Sequence, residues 1–167
     1  MQLGKASWMT EELSIVRDSV QKFIAAEIEP HYETWEQQGI VPRELWNKLG
    51  EQGFLAPDMP EQYGGAGGTY EHLAVVIAEF ARHGYATIAG SMIGVHSGIV
   101  NHYILNNGSE AQKQRYLPAM ASGEMVSALA MTEPGAGSDL QGINMTAKRD
   151  GNGYVINGAK TFTSNGQ

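Results

Sequence analysis

The run ALAMTEPGAGSD, residues 128–139, combines two hydroxyl side chains and two carboxylates with some of the smallest residues of the chain. Gly135 and Gly137 allow the backbone to come close to a ligand, and Thr132 and Ser138 place hydroxyls beside it. Such a segment favours binding of an extended or planar group through backbone amides and hydroxyls. The alternative is an ordinary tight turn, because the Pro-Gly pair within the run is typical of turns.

Several common catalytic sites are excluded by spacing. After Gly135 and Gly137 the third glycine of a dinucleotide-binding turn is missing, and a strand-like segment follows instead of a helix. The sequence has no P-loop lysine motif, and Ser138 lacks the strand-to-helix elbow of serine hydrolases. The chain has no cysteine, and its five histidines lack metal-ligand spacing, so neither a thiol nucleophile nor a metal site is predicted.

The charge of the chain argues against nucleic acid as a partner. The formal net charge is -7 with only 11 Lys and Arg residues, whereas binding to phosphates needs a basic face. No apolar stretch reaches the roughly 18 residues that a membrane span needs, and the N-terminal residues show no signal-peptide core. We therefore expect no transmembrane segment and a cytoplasmic location.

Residues 1–123 have the pattern of an all-α domain. Apolar residues recur at helical spacing between Leu13 and Ile28, after an N-cap at Thr10 and before Pro30. Further elements are predicted as a helix with Pro42 at its first position, a loop at 54–68, a helix capped by Thr69, a helix over 85–106, and a helix from the capping box at Ser109 to Gly123. The 85–106 helix is apolar nearly all round, which predicts burial on most of its sides.

From residue 124 the pattern changes to short strands. Strands are predicted at 125–131, 143–149, 154–156 and 159–164, with turns at DGNG and at Asn157–Gly158. Helices followed by strands predict an α+β chain with 1–123 as a helical domain and 124–167 as the first part of a β domain. Because only about four strands fit before Gln167, we expect the antiparallel sheet or barrel to be incomplete.

Two motifs in this order resemble the signature pair of the flavin-dependent acyl-CoA dehydrogenases, AMTEPGAGSDLQG and GYVINGAKTFTSNG. Upstream, the YGG loop and GSEAQKQRYLPAMASGE are similar to the N-terminal domain of that family. The resemblance covers essentially the whole chain, and HSGIVNHYILNNGSE together with TFTSNG looks closest to the long-chain branch. It implies an acyl-CoA dehydrogenase fold of which this chain holds the N-terminal part.

The resemblance implies FAD as the cofactor and acyl-CoA as the substrate. Family members oxidise the thioester to trans-2-enoyl-CoA in fatty-acid β-oxidation, and here a medium to long acyl chain is expected. A carboxylate takes the α-proton while the β-hydrogen leaves as hydride to FAD, so hydrogen-bond donors are expected where the flavin gains negative charge.

The same resemblance assigns the site residues. Thr132 and the adjacent amides are expected to donate to the flavin near its N1 and C2 carbonyl, and Ser138 is expected to touch the acyl-CoA. Phe162 stands where many members have Trp and is expected to pack on the ring system, and Ser164 stands where many have Thr and is expected to hydrogen-bond near N5. The full cofactor-binding set is Leu129, Ala130, Met131, Thr132, Gly137, Ser138, Phe162, Thr163 and Ser164.

Ordinary roles remain open for two of these residues. Without the motif, Phe162 is also explained as a core aromatic on an inward strand face. Ser164 is also explained as a solvent-exposed hydroxyl at the end of a strand.

No catalytic residue is expected within this chain. By resemblance the base is a glutamate from helices that follow the sheet domain, so Glu133, inside the turn motif, is interpreted as structural. Residues 1–167 on their own are expected to bind FAD weakly or not at all and to leave acyl-CoA unreacted. The alternatives are a non-catalytic acyl-CoA or flavin-binding remnant, and a related flavin-dependent acyl-CoA oxidase or nitroalkane oxidase.

The resemblance also implies partners for the full-length protein. Electron-transfer flavoprotein is expected as the electron acceptor, and the assembly is expected to be a homodimer or homotetramer. For a mature eukaryotic chain the expected location is the mitochondrial matrix.

Overall fold

The computed structural model describes residues 7–166. Its packing forms two compact units, of which the first ends at Ser127 and the second begins at Ala128. The domain assignment of 1–123 and 124–167 stays a prediction. Residues 1–6, at the start of the predicted helical region, and 167, at the end of the predicted sheet region, lie outside the described residues.

The first unit is helical. Its α-helices within the described residues are α1 (Glu11–Phe23), α2 (Tyr32–Gln38), α3 (Arg43–Glu51), α4 (Tyr70–Arg82), α5 (His102–Asn107) and α6 (Glu110–Ala121). π-Helical segments cover Ile24–Ile28, Ile88–Gly94 and His96–Asn101, and a short 3-10 helix covers Glu61–Tyr63 in the predicted loop. None of the helices among residues 7–166 has the length and apolarity needed to cross a membrane.

The predicted helix caps are present. The Thr10 hydroxyl accepts a hydrogen bond from the Leu13 N–H at 3.2 Å. At the start of α6 the Ser109 hydroxyl accepts from the Gln112 N–H at 3.3 Å, and the Gln112 side chain accepts from the Ser109 N–H at 2.8 Å. This reciprocal pair is the predicted capping box. Gly123, with φ of 76°, ends the helical region in the left-handed conformation that glycine tolerates.

Two helix predictions need correction. Pro42 precedes α3 as its N-cap, so the helix begins one residue later than predicted, a shift that is common at helix ends. The helix α2 was not predicted at all. It is seven residues long and has no buried residue, so it shows no apolar stripe that periodicity could detect.

The predicted 85–106 helix is wound partly as π-helix. Within it the Ser97 hydroxyl and the Asn101 amide both donate to the Leu55 carbonyl, at 2.7 and 3.1 Å, and both side chains are buried. The prediction of burial on most sides is confirmed, because most residues of the segment are buried or half-buried, with an exposed side that includes Gly90 and Tyr103. The turns of a π-helix are wider than those of an α-helix, and in this segment they coincide with buried polar residues on one face.

The core of the first unit lies between α1, α3, α4 and the π-helical segment Ile88–Gly94. Phe23 of α1 contacts Phe54 edge-on at 5.5 Å between ring centroids and Phe80 of α4 at 6.4 Å. Other buried core residues are Val20, Ile24, Ile28, Leu45, Leu49, Leu55, Leu73, Val76, Ile88 and Ile93. The predicted apolar stripe of α1 therefore faces the interior.

The second unit contains an antiparallel hairpin of β1 (Thr146–Asp150) and β2 (Gly153–Asn157). Thr146 pairs with Asn157 and Asp150 with Gly153, so the predicted DGNG turn connects the strands. Gly151 makes this turn at φ of 57°. A helical part followed by an antiparallel sheet confirms the α+β class.

Three strand predictions are wrong. Asn157–Gly158 is not a hairpin turn, because β2 ends at Asn157 and no strand follows it directly within the described residues. Gly158, with a φ of 147°, lies close to Met145, and a Cβ on residue 158 would be 2.8 Å from the Met145 Cβ. Residues 125–131 and 159–164 form no strands and share only one isolated bridge, between Leu129 and Ser164. Phe162 has a left-handed φ of 55°, and this interrupts the extended conformation that a regular ladder needs.

The His96 side chain in the first unit is polar and has no exposed surface. Its Nε2 lies 3.0 Å from the Met120 carbonyl, which can only accept, so Nε2 carries the proton. Its Nδ1 then accepts from the Ser127 N–H at 3.2 Å, and the Trp46 ring packs edge-on at 5.2 Å. Burial lowers the pKa of His96, so the folded protein holds a neutral imidazole.

This lowered pKa predicts loss of stability in mild acid. As pH falls through the ordinary histidine pKa near 6.5, the unfolded chain binds a proton more readily than folded His96, whose pKa is lowered by burial. The free energy of unfolding should therefore fall by at most about 1.4 kcal/mol per pH unit from this group. Urea unfolding at several pH values should show a shallower slope for His96→Gln and an unchanged slope for the exposed-histidine control His31→Gln. Equal slopes in all three proteins would contradict the prediction.

Candidate functional site

Two segments of the second unit lie side by side, one at residues 129–132 and the other at 161–164. The Leu129 N–H donates to the Ser164 carbonyl at 3.3 Å, and the Thr161 N–H donates to the Thr132 carbonyl at 2.9 Å. Both contacts fit a single antiparallel register. The structure therefore brings together seven of the nine predicted site residues, which are Leu129, Ala130, Met131, Thr132, Phe162, Thr163 and Ser164.

The other two predicted site residues, Gly137 and Ser138, are exposed in the following loop. Among the described residues neither forms a hydrogen bond to the paired segments. A Cβ on Gly137 would meet nothing within 4 Å, so packing inside the second unit does not require glycine there. An open backbone position of this kind leaves room for a ligand to approach the main chain.

The predicted Pro134–Gly135 turn is present. Glu133 and Ala136 exchange two backbone hydrogen bonds, with N···O distances of 3.0 and 3.1 Å, around these two residues. The turn does not join two strands, as the simpler interpretation expected. It leads instead from the paired segment into a short 3-10 helix at Leu140–Gly142.

Phe162 has the most unusual backbone at the site. Its φ of 55° lies in the left-handed region, which is an outlier for a bulky residue, and its side chain is 90% exposed. The interpretation of Phe162 as a core aromatic is therefore wrong within the second unit. Strained residues cluster at ligand sites, and this one offers a flat apolar ring that residues 7–166 leave almost fully exposed.

The carboxylate of Glu133 is buried, with 7% of the residue exposed. One oxygen accepts from the Asn144 N–H at 2.7 Å, and the other accepts from the Met145 N–H and the Lys160 ammonium, each at 3.0 Å. The Asn144 hydrogen bond, followed by that from Lys160, lowers the pKa of Glu133. An ionised carboxylate with these donors is a weak proton acceptor, which supports the structural interpretation of this residue.

Lys160 is the residue that sequence analysis missed. Its ammonium donates to Glu133 and, at 2.8 Å, to the carbonyl of Met131 within the predicted flavin-facing segment. A lysine two residues before Phe162 is an unremarkable part of the second motif. Its partner, Glu133, lies 27 positions away, so no local pattern pairs the two charges.

The hydroxyl of Thr132 is available to a ligand. Thr132 is half-buried, and its carbonyl accepts from Thr161, but no hydrogen bond of its hydroxyl occurs among residues 7–166. In the same part of the chain no group of three or more His, Asp or Glu side chains is arranged to hold a metal ion. The paired segments therefore offer a hydroxyl donor, an exposed aromatic ring and an open glycine backbone.

Comparison with known proteins identifies the family of the chain. Residues 10–124 match the family model of the acyl-CoA dehydrogenase N-terminal domain, and residues 128–167 match that of the acyl-CoA dehydrogenase middle domain. The mitochondrial long-chain specific acyl-CoA dehydrogenase of Sus scrofa is 46% identical over 164 residues, which cover 98% of this chain and 37% of the relative.

Solved structures give the same result. The crystal structure of an acyl-CoA dehydrogenase from Geobacillus kaustophilus superposes with a TM-score of 0.89 at 44% identity, over 97% of this chain and 42% of that one. A Bacillus anthracis acyl-CoA dehydrogenase complexed with FAD superposes with a TM-score of 0.80 at 35% identity, over 92% of this chain and 27% of that one. The chain thus spans well under half of the length of these relatives. Across both of its units, the chain belongs to the acyl-CoA dehydrogenase family.

Proposed function

We propose that the protein containing this chain is an FAD-dependent acyl-CoA dehydrogenase that converts acyl-CoA of medium to long chain length to trans-2-enoyl-CoA. The observation that carries this proposal is the pairing of residues 129–132 with residues 161–164. This pairing leaves the ring of Phe162, whose backbone is strained, exposed beside the segment that contains Thr132. Membership of the family and the long-chain relative support it. The FAD-bound structural neighbour supports the choice of cofactor.

The residues present fit a flavin. An isoalloxazine has two apolar faces and a polar edge, and the site supplies an unpacked aromatic ring and an unpaired hydroxyl within the described residues. The residues that would hold it are Leu129, Ala130, Met131, Thr132, Gly137, Ser138, Phe162, Thr163 and Ser164. When bound, FAD supplies the acceptor for the hydride that leaves the β-carbon of the thioester.

The chain contributes binding and electrostatics to this reaction. The Thr132 hydroxyl donates a hydrogen bond where negative charge develops, and a fixed donor of this kind favours the transition state. Phe162 covers one apolar face and keeps water from it. Ser138 contacts the acyl-CoA, and the exposed backbone at Gly137 lets the thioester pass. By resemblance to the family, the proton of the α-carbon would be taken by a glutamate from helices that follow the sheet domain, and Glu133 is a poor candidate for this role because it is already held by three donors.

The proposal extends to the partners and to the pathway. Electron-transfer flavoprotein would reoxidise the cofactor, the assembly would be a homodimer or homotetramer, and the reaction would belong to fatty-acid β-oxidation. These roles follow from the resemblance to the family.

An assay of the full-length protein with a series of acyl-CoA thioesters tests the activity. We expect a yellow protein that reduces an electron-acceptor dye, with a kcat/KM that is highest for straight chains of medium to long length. A maximum for a short branched thioester would overturn the chain-length assignment. Rapid reoxidation by oxygen would indicate an oxidase, and failure of any thioester to bleach bound flavin would indicate a non-catalytic binding protein.

Replacing Phe162 by Ala should weaken FAD binding. Loss of a stacked ring is expected to raise the dissociation constant about tenfold to a hundredfold, equivalent to about 1.4 to 2.8 kcal/mol. Titration of the apoprotein with FAD, followed by flavin fluorescence, measures this. The matched control is Tyr154→Ala, since Tyr154 is an exposed aromatic on β2 with 68% of its surface accessible. Equal losses in both variants would argue against a specific role for Phe162.

Replacing Thr132 by Val should keep the fold but slow reduction of the flavin by substrate. The change removes one donor and conserves the side-chain shape, and such a donor is worth roughly 2 to 4 kcal/mol at most. Stopped-flow measurement of flavin bleaching and the flavin reduction potential report the effect. Thr146→Val on the exposed strand β1 is the control. An unchanged rate and potential in Thr132→Val would remove Thr132 from the proposed site.

A further inference from the structure

The ion pair of Glu133 and Lys160 connects parts of the second unit that are distant in sequence. Its side chains are 7% and 16% exposed, so both charges are largely removed from water. Through its carboxylate Glu133 fixes the backbone N–H groups of Asn144 and Met145, just before β1. A buried charge with several charge-assisted hydrogen bonds is held in one geometry.

The Lys160 ammonium is bound at two points. It lies 3.0 Å from a Glu133 carboxylate oxygen and 2.8 Å from the Met131 carbonyl. Lys160, which directly precedes residues 161–164, therefore connects that segment to Met131 in the segment 129–132. Its neighbour Thr161 adds the backbone hydrogen bond to Thr132. Residues 160 and 161 therefore bind the carbonyls of residues 131 and 132.

These contacts enclose the strained residue. Phe162 follows Lys160 and Thr161 directly, and the Ser164 carbonyl is held by the Leu129 N–H on its other side. A left-handed backbone at a bulky residue persists only where its surroundings overdetermine it. Here the surroundings are a backbone hydrogen bond on each side and the two-point contact of Lys160.

We propose that Lys160, held in place by Glu133, is a positioning residue that fixes the Met131 carbonyl and the left-handed backbone of Phe162. The orientation of Phe162 toward the flavin rests on the function proposed above, whereas the constraint on the two segments does not. Lys160 has this role without touching the cofactor. Removing its charge would leave residues 129–132 and 161–164 joined by the two backbone hydrogen bonds alone, and would leave Glu133 as a buried carboxylate without its cation.

A purely structural ion pair is the competing explanation, and a double variant separates the two. Lys160→Met leaves the Glu133 charge unpaired and should lower the thermal midpoint of the full-length apoprotein. Adding Glu133→Gln neutralises that charge and should recover much of the midpoint. If the pair acts by positioning, FAD affinity should stay at least tenfold below that of the parent protein in the double variant, because the Met131 contact is still missing.

The experiment measures FAD dissociation constants, thermal midpoints and amide hydrogen exchange for the parent protein, Lys160→Met, Lys160→Arg and the double variant. The control is Lys148→Met, which removes an exposed lysine from β1. We expect faster exchange in peptides covering 128–133 and 160–165 for Lys160→Met and for the double variant. Lys160→Arg should restore slow exchange and FAD affinity, because a guanidinium can donate to both acceptors.

The outcomes distinguish this inference from the proposed function. If the double variant regains parental FAD affinity and parental exchange rates, Lys160 only neutralises Glu133, and the positioning role is wrong. If the parent full-length protein binds no FAD, the proposed function fails, while the exchange rates of the two segments still decide whether Lys160 constrains them. Equal exchange in the Lys160→Met and Lys148→Met variants would overturn the constraint itself.

Discussion

The buried carboxylate of Glu133 is the constraint on which the second unit depends. A charge with so little access to water must be matched by donors, and the chain supplies two backbone N–H groups and one ammonium. Because these donors must surround Glu133, Asn144 and Met145 before β1 and Lys160 after β2 all lie at the turn that contains Glu133. The hairpin itself is exposed on both strands, so its own apolar packing cannot organise the unit.

In the first unit, buried polar groups have a similar role beside a conventional apolar core. The phenylalanine cluster between α1 and α4 provides non-directional burial, which fixes that helices meet but tolerates small shifts between them. His96, Ser97 and Asn101 instead bond to particular carbonyls and backbone groups. Directional bonds of this kind select one arrangement, and here they accompany a helix wound with π turns.

The site is related to the proposed activity through the groups of the second unit that have no partner within the described protein. Its buried charges, Glu133 and Lys160, are paired with each other, whereas the Phe162 ring, the Gly137 backbone and, among the described residues, the Thr132 hydroxyl are open to a ligand. A flat heterocycle that gains charge at one edge matches this combination. The separation between groups that hold the structure and groups that meet the ligand explains how Glu133, an acid in the central motif, has no need to be catalytic.

Sequence alone determined the α+β class, the main helices with their caps, the DGNG hairpin and the family, because these depend on local periodicity, capping and contiguous motifs. It did not determine α2, which has no fully buried residue, or the irregular segments around Leu129 and Phe162, where strand-like composition predicted regular strands. It also missed Lys160. Tertiary structure decided these features, because a buried carboxylate and its ammonium meet across 27 residues and no local pattern encodes such a pair.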